Sequence, residues 1–303
     1  MSSIVEFHQV TRRFPRSWAL RHASFRVPAA SITAMLGPNG AGKSTALKIA
    51  LNLLRPSTGH VEILGTDSRK LGPAQLRRIG YVAEGMELPD WMSVDQFLGW
   101  CRPLYPTWDA ALERTLREKF ALPGGRKLKH LSRGQRMKAA LIGALSYRPE
   151  LLVLDEPFSG LDPLVRDEFI TGLLELAGGE GFTVLLSSHD IEEVDRLADH
   201  VVLLNHGAVV LDESSDALLA RHRQIEILLP ADFGELPKFP VSWIARQSSG
   251  RVLRFTDTEH DAEKFPTYLA SHFPNCSPPD IRPLSLREIF VALVRTGRAD
   301  AGV

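Results

Sequence analysis

The sequence predicts an α/β protein: a mostly parallel sheet with antiparallel strands at its N-terminal end, an inserted helical subdomain, and a small α+β C-terminal extension. Three observations carry this. Strand-like and helix-like segments alternate up to about residue 222, which is the pattern of a parallel sheet with crossover helices. Leu151–Leu154 is apolar at every position, as suits a central strand covered on both faces. Strand patterns disappear between Gly85 and Pro149, and beyond Arg223 proline and polar residues punctuate only short elements.

In order, Ile4–Val10 alternates apolar and polar residues and Ala23–Val27 does so more weakly, which predicts a sheet with one solvated face. Ser31–Leu36 is a compact apolar strand that enters a glycine-rich turn. Thr45–Leu54 has helical spacing and should stop at Arg55-Pro56-Ser57, because proline disfavours helical geometry in the residue before it. Val61–Leu64 and Ile79–Ala83 follow as strands. Helices are expected at Val94–Cys101, Trp108–Phe120 and Arg133–Leu145. Strands return at Leu151–Leu154, Val184–Ser187, Val201–Leu204 and Val209–Leu211. The extension offers strands at Ile225–Leu229, Trp243–Arg246 and Val252–Phe255, with helices near Ala262–Phe273 and Leu286–Val294. The expected domains are 1–222, with the helical subdomain at about 85–149, and 223–303.

Length and composition narrow the classes of function. A chain of 303 residues buries an ample core without disulfide or metal support. Its 36 basic residues balance 36 acidic ones, which argues against a dedicated nucleic-acid binder. Cys101 and Cys276 have no metal-ligand or CxxC spacing and read as ordinary reduced thiols. No apolar run approaches the ~18 residues of a membrane span, and the first residues lack the pattern of a signal peptide. The expectation is a soluble cytoplasmic protein whose membrane partner, if it has one, supplies the span.

Two motifs carry chemistry. Gly37-Pro38-Asn39-Gly40-Ala41-Gly42-Lys43-Ser44 lies between a strand and a helix and satisfies G-x-x-x-x-G-K-[ST]. Glycines let successive N–H groups converge on phosphate oxygens, and the helix that follows points its positive end at the same charge. Lys43 can neutralise β- and γ-phosphates, and the Ser44 hydroxyl can ligate Mg²⁺. Leu151–Leu154 ends in Asp155-Glu156, two carboxylates at the sheet edge where open α/β folds bind ligands. Asp155 suits the Mg²⁺ shell, and Glu156 is then free to orient or deprotonate an attacking water.

These motifs, together with Leu131-Ser132-Arg133-Gly134-Gln135, Ser159-Gly160-Leu161-Asp162 and Ser187-Ser188-His189-Asp190, resemble in order and spacing the ATP-binding subunits of ABC transporters. The resemblance covers about residues 4–215 and implies a P-loop NTPase core of RecA-like type. It implies an ATP and Mg²⁺ site built from Phe14, Gly37, Pro38, Asn39, Gly40, Ala41, Gly42, Lys43, Ser44, Thr45, Glu84, Ser132, Gly134, Gln135 and Asp162. Catalysis would rest on Lys43, Glu156 and His189, with Ser44, Asp155 and Glu84 at the metal. Two such subunits, identical or not, would pair head to tail through ATP, with Ser132 and Gly134 facing the other copy's γ-phosphate. His189 would hold the γ-phosphate and water in line with Glu156.

The chain departs from the family pattern twice: Arg133 stands where glycine is usual, and Glu84 where glutamine is usual. Glu84 is expected to offer oxygen to Mg²⁺ while its charge repels the γ-phosphate. At Phe14 a stacking role on adenine competes with core packing, and Trp18 is a nearby alternative stacker. Trp91 reads as an interface residue for a membrane subunit, Trp100 and Trp108 as packing within the helical subdomain, and Arg126–His130 as a solvated basic run. The implied function is an ATPase subunit on the cytoplasmic face of the membrane that drives separate permease subunits. The likeness to drug- and antibiotic-efflux ATPases, including Leu284–Phe290, implies export; no nucleic-acid partner is expected. The alternative is a soluble ATPase of the same family acting on ribosomes or DNA. A single phosphate loop and the lack of a heptad insertion weigh against it.

Overall fold

The computed structural model describes residues 2–231, 233, 234 and 236–300. It divides into two compact units, Met1–Asp212 and Glu213–Val303. The division falls ahead of the expected boundary at 223. The helix Ser215–Arg221 packs on the last helix of the chain, so it belongs with the second unit. Residues 232, 235 and 301–303 of the expected extension lie outside the described residues.

The first unit opens with β1 (Ser3–Phe14) and β2 (Ser17–Pro28), followed by β3 (Ile32–Leu36), α1 (Lys43–Ala50), β4 (Thr58–Ile63), β5 (Thr66–Asp67), α2 (Pro73–Leu76) and β6 (Ile79–Ala83). Strands β2-β1-β4-β5 form an antiparallel sheet. Strand β2 begins well before the expected Ala23. Residues Gln9 and His22 take positive φ, and the β1–β2 register slips between Phe7 and Val10, so the period-two pattern is interrupted in the sequence although pairing continues. Helix α1 ends at Ala50, short of Leu54. Asn52 adopts the left-handed conformation that closes helices, and Leu53 turns its N–H back to the Lys48 carbonyl.

The insertion holds α3 (Val94–Cys101), α4 (Ala110–Lys119) and α5 (Arg133–Leu145). Each starts at a capping side chain: Ser93, Asp109 and Ser132. Then come β7 (Leu151–Asp155), α6 (Pro163–Glu180), β8 (Thr183–Ser188), α7 (Ile191–Asp195), β9 (His200–Asn205) and β10 (Ala208–Ser214). Helix α6 is absent from the sequence reading. Its apolar pattern is weak, but Asp162-Pro163 is an N-cap followed by a first-turn proline, a signal that could have found it.

Strands β10-β9-β3-β8-β7-β6 form the central sheet, and β9, β3, β8, β7 and β6 run parallel. All positions of β3, β7 and β8 are buried. Their faces meet α1 and the antiparallel sheet in one core that joins Phe7, Phe25, Leu47, Ile49, Val61 and Val153.

The second unit contains α8 (Ser215–Arg221), β11 (Arg223–Leu228), β12 (Trp243–Ser249), β13 (Val252–Asp257), α9 (Phe265–His272), β14 (Asp280–Pro283) and α10 (Leu286–Asp300). Its antiparallel sheet runs β12-β13-β11-β14. Trp243 stacks on Phe255 at 3.8 Å within a core that includes Phe265 and Phe273.

Candidate functional site

Parallel register brings the chemistry together. Leu36 pairs with Ser188, Asp155 with Ser187, and Ala83 with Asp155. The residues leaving β3, β7, β8 and β6 therefore emerge at one edge of the sheet, the carboxyl edge where such folds take ligands.

The loop 37–42 connects β3 to α1. Gly42 has φ +109°, and a Cβ there would sit 2.2 Å from the Ala19 carbonyl oxygen. Gly37 has φ +155°, and its Cβ would meet the Leu204 oxygen at 2.3 Å. Only glycine fits either position, because backbone conformation and backbone contact both exclude a side chain. Pro38, Asn39 and Gly40 are exposed, and Ala41 is buried. As N-cap of α1, Gly42 has no side chain to occupy the first-turn amides, and Lys43, Ser44 and Thr45 bring no acid there. An uncapped positive helix end of this kind fits a phosphate.

Lys43 is 5% exposed. Its Nζ donates to the Gly37 carbonyl at 2.7 Å and lies 3.1 Å from Glu156 Oε1. The other Glu156 oxygen, Oε2, is 2.7 Å from His189 Nδ1. Glu156 itself has φ +49°, and its N–H donates to Ser187 Oγ at 2.9 Å. A left-handed residue directly after a central strand turns the side chain out of the strand line toward Lys43 and His189. Sparse backbone conformations of this kind cluster at functional sites. Beside it, buried Asp155 accepts from Ser44 Oγ at 2.9 Å and from Ser187 Oγ at 2.7 Å on the same oxygen, Oδ1. Two hard oxygen donors from Ser44 and Asp155 at this separation fit Mg²⁺, which prefers carboxylate, hydroxyl and water oxygen.

Glu84 differs from expectation. Its Oε1 accepts from Arg133 Nη2 at 2.6 Å and from Ser159 Oγ at 2.8 Å, and these hydrogen bonds, Ser159 foremost, hold the carboxyl below its ordinary pKa. The guanidinium balances its charge, so the unpaired repulsion expected toward a γ-phosphate is offset. Arg133 also packs over Gly160, where a Cβ would come within 2.3 Å of Nη1. The two positions at which the sequence departs from the family pattern thus form one ion pair joining α5 to the segments after β6 and β7. The partners are 49 positions apart, so only the fold reveals them.

Ser132 and Gln135 are engaged with each other. Gln135 N–H donates to Ser132 Oγ, and Ser132 N–H donates to Gln135 Oε1, a capping box at the start of α5. These two N–H groups are therefore used within the chain, while the Ser132 hydroxyl proton remains to donate. Gly134 lies where a Cβ would approach Val165 at 3.0 Å, which makes it a packing glycine between α5 and α6. Asp162 caps α6 by accepting from Val165 N–H at 3.0 Å, the local work of an N-cap.

Phe14 ends β1 half-buried, with the Arg12 guanidinium 4.7 Å over its ring. Trp18 is exposed, with Arg13 over its ring. Sequence reasoning gave Ser159 and Ser187 no role, yet their hydroxyls hold Glu84 and Asp155. Each opens a motif quoted above, but its partner lies 75 or 32 residues away, so the sequence does not show which carboxylate it holds.

A second feature lies in the helical subdomain. A largely apolar groove of about 800 Å³ is lined by Met86, Trp91, Met92, Trp100, Tyr105 and Tyr147. Trp91 is 71% exposed and Trp100 57%, so Trp100 joins this surface rather than packing inside as expected. Trp108 does pack, donating from Nε1 to buried Glu113 at 2.9 Å. Arg126, Lys127, Lys129 and His130 are exposed around buried Leu128, as a solvated face.

The ABC transporter family profile matches residues 20–159, and an AAA-domain profile matches residues 124–195. A sulfate/thiosulfate import ATP-binding protein of Salmonella typhi is 32% identical over 222 residues, covering 70% of this chain and 60% of that protein; the chain thus spans less than two thirds of that relative's length. A glycine betaine uptake system ATP-binding protein of Escherichia coli is 32% identical, covering 72% of this chain and 73% of its own. A daunorubicin resistance ATP-binding protein of Streptomyces coeruleorubidus is 35% identical, covering 69% and 67%. Among solved structures, an ATP-binding subunit of an ABC transporter superposes with TM-score 0.65 at 27% identity, covering 72% of this chain and 92% of that one. The nucleotide loop, the acidic strand end and the histidine turn sit at one sheet edge in a fold shared with these proteins, and the chain belongs to the ATP-binding cassette ATPases of ABC transporters.

Proposed function

We propose that this chain binds and hydrolyses ATP to power transport through separate membrane subunits, on the cytoplasmic face of the membrane. The observation that carries the reading is the convergence of Lys43, Ser44, Asp155, Glu156 and His189 at the carboxyl edge of the parallel sheet. Lys43 would exchange its contact with Glu156 for the β- and γ-phosphates. That exchange frees Glu156 Oε1 to accept a proton from the attacking water, while His189 holds Oε2 and fixes the carboxylate's orientation. Ser44 and Asp155 would hold Mg²⁺, which when bound would supply positive charge to the phosphates. Phe14 is the stacking candidate for adenine. Two copies, or one copy and a related chain, would close over ATP, with Ser132 and Gly134 presented to the opposite nucleotide.

The apolar groove at Trp91 and Trp100 suits a helix of the membrane subunit, since methionine and tryptophan make adaptable interface surfaces. Among the described residues no helix is long and apolar enough to cross a membrane, which fits a partner that supplies the span. For direction we favour export of a small amphipathic compound, supported by the similarity to the daunorubicin resistance protein. The similarity to sulfate/thiosulfate and glycine betaine uptake proteins favours import as the second reading.

The test traps tagged Glu156→Gln with ATP, extracts membranes in mild detergent and identifies the co-purifying proteins. A multi-helix membrane protein supports the proposal; ribosomes or nucleic acid, with membranes verified in the input, refute it. Deleting the partner then separates the directions. Increased sensitivity to amphipathic drugs supports export, and lost solute uptake supports import.

A further inference from the structure

The solvent face of the N-terminal antiparallel sheet carries four potential ligands with no part in the nucleotide site. Val5 and Phe7 of β1, and Val61 and Ile63 of β4, are buried, so Glu6, His8, His60 and Glu62 project together from the opposite face. The register pairs His8 with His60 and Glu6 with Glu62 directly across the strands. The two imidazoles stack with centroids 4.6 Å apart and planes at 18°. His8 Nε2 lies 3.5 Å from Glu6 Oε2, and His60 Nε2 lies 3.8 Å from Glu62 Oε1. Donor atoms of His8, His60 and Glu62 all fall within 4.8 Å of one another.

We propose that this face binds a single late first-row transition-metal dication, of the Zn²⁺ or Cu²⁺ class, through His8, His60 and Glu62, with the Glu6 carboxylate as a fourth ligand. Two carboxylates placed opposite each other repel across an antiparallel pair, and a dication between them removes that repulsion. Two imidazoles with carboxylate oxygen select Zn²⁺ or Cu²⁺ over Mg²⁺ and Ca²⁺, which take oxygen ligands. Bonds of about 2.0–2.1 Å to one ion would bring the donors to roughly 3.3 Å apart. The side chains are about half exposed, so rotation about their own bonds supplies the closure without moving the strands.

The backbone fixes the juxtaposition. The β1–β4 register breaks directly after the His8–His60 pair, where Gln9 has positive φ. At the adjoining Gly59, φ +77°, a Cβ would meet the His8 and Gln9 carbonyl oxygens at 2.4 Å, so only glycine lets β4 approach this closely. The neighbours on the same row do not compete for the ion. Asp67, opposite Glu62, is held by the Arg69 guanidinium, which keeps its pKa near 2, and Arg26 lies opposite Glu6 on the outer side. A bound metal would clamp β1 to β4.

The experiment uses the untagged full chain, stripped with EDTA, dialysed and titrated with Zn²⁺ alone by calorimetry, with stoichiometry read by elemental analysis. The expected result is one Zn²⁺ per chain, with affinity reduced at least about tenfold in His8→Asn and in His60→Asn, and unaffected by millimolar Mg²⁺. Thermal melts and ATP binding of the variants serve as fold controls. As a second readout that needs no variant, Cu²⁺ bound to the wild-type chain should give an EPR spectrum with coupling to two imidazole nitrogens. Zn²⁺ binding that is absent in the wild type, or unchanged in the double variant, overturns the proposal, as does a Cu²⁺ spectrum without that coupling.

Discussion

Glu156→Gln should separate ATP binding from ATP turnover, and in opposite directions. Glutamine keeps the shape of the side chain and its hydrogen-bonding oxygen but removes the charge that faces Lys43 at 3.1 Å. Two unit charges at that distance attract by about 5 kcal/mol at an effective dielectric of about 20. Most of this is offset by the desolvation of both groups, which are 5% and 12% exposed, and by the hydrogen bond that the amide oxygen retains. A residual of about 1.4 kcal/mol is the share of Lys43 that phosphate must win from Glu156, so ATP affinity should rise about tenfold in the variant. Turnover should fall by about 10²–10⁴, or roughly 2.7–5.4 kcal/mol on the barrier, because the amide cannot accept the water's proton. Equilibrium dialysis with labelled ATP gives the first number, and single-turnover phosphate release gives the second. Unchanged or weaker ATP binding would refute the idea that Glu156 competes for Lys43. Wild-type turnover would remove Glu156 from the chemistry.

Three further outcomes rest on the same geometry. Gly42→Ala forces a side chain onto a left-handed backbone and against the Ala19 carbonyl, so thermal unfolding should show a loss of at least ~2 kcal/mol along with lost ATP binding, whereas Gly40→Ala, with open space around it, should cost only ~1 kcal/mol. Glu84→Gln and Arg133→Gln break a half-exposed pair, so each should cost less than ~1 kcal/mol of stability, yet their effects on ATPase rate should be non-additive; additivity within ~0.3 kcal/mol in a double-mutant cycle would show the pair uncoupled. His222 is buried in the second unit, and burial lowers its pKa below the ordinary value. The unfolded chain therefore takes up the proton first, at about pH 6.5, and the stability this neutral histidine contributes is present above that pH and lost as pH falls through the lower folded value. Urea unfolding of the second unit should weaken from pH 7.5 to 5.5, and His222→Gln should flatten that slope.

How much of this was legible in one dimension depends on the range of the interaction. The phosphate loop, the acidic strand end and the capping serine of α5 are local: a few adjacent residues fix backbone freedom, burial and hydrogen bonding together, so sequence alone determined them. The buried strands Leu151–Asp155 and Ile32–Leu36 were equally clear, because a strand covered on both faces must be apolar throughout. Where the alternation broke, at the Gln9 and His22 bulges, strand length was lost from view although the ladder continued.

Tertiary structure alone decided the pairings between distant segments. Glu84 found Arg133 and Ser159, Asp155 found Ser187, Glu156 was set between Lys43 and His189, and His8 met His60. Each partner comes from a different element, and which strand lies beside which is set by packing of the whole sheet rather than by either residue's neighbours. The motifs named the groups from which the chemistry is built; parallel register brought them within hydrogen-bonding reach of one another.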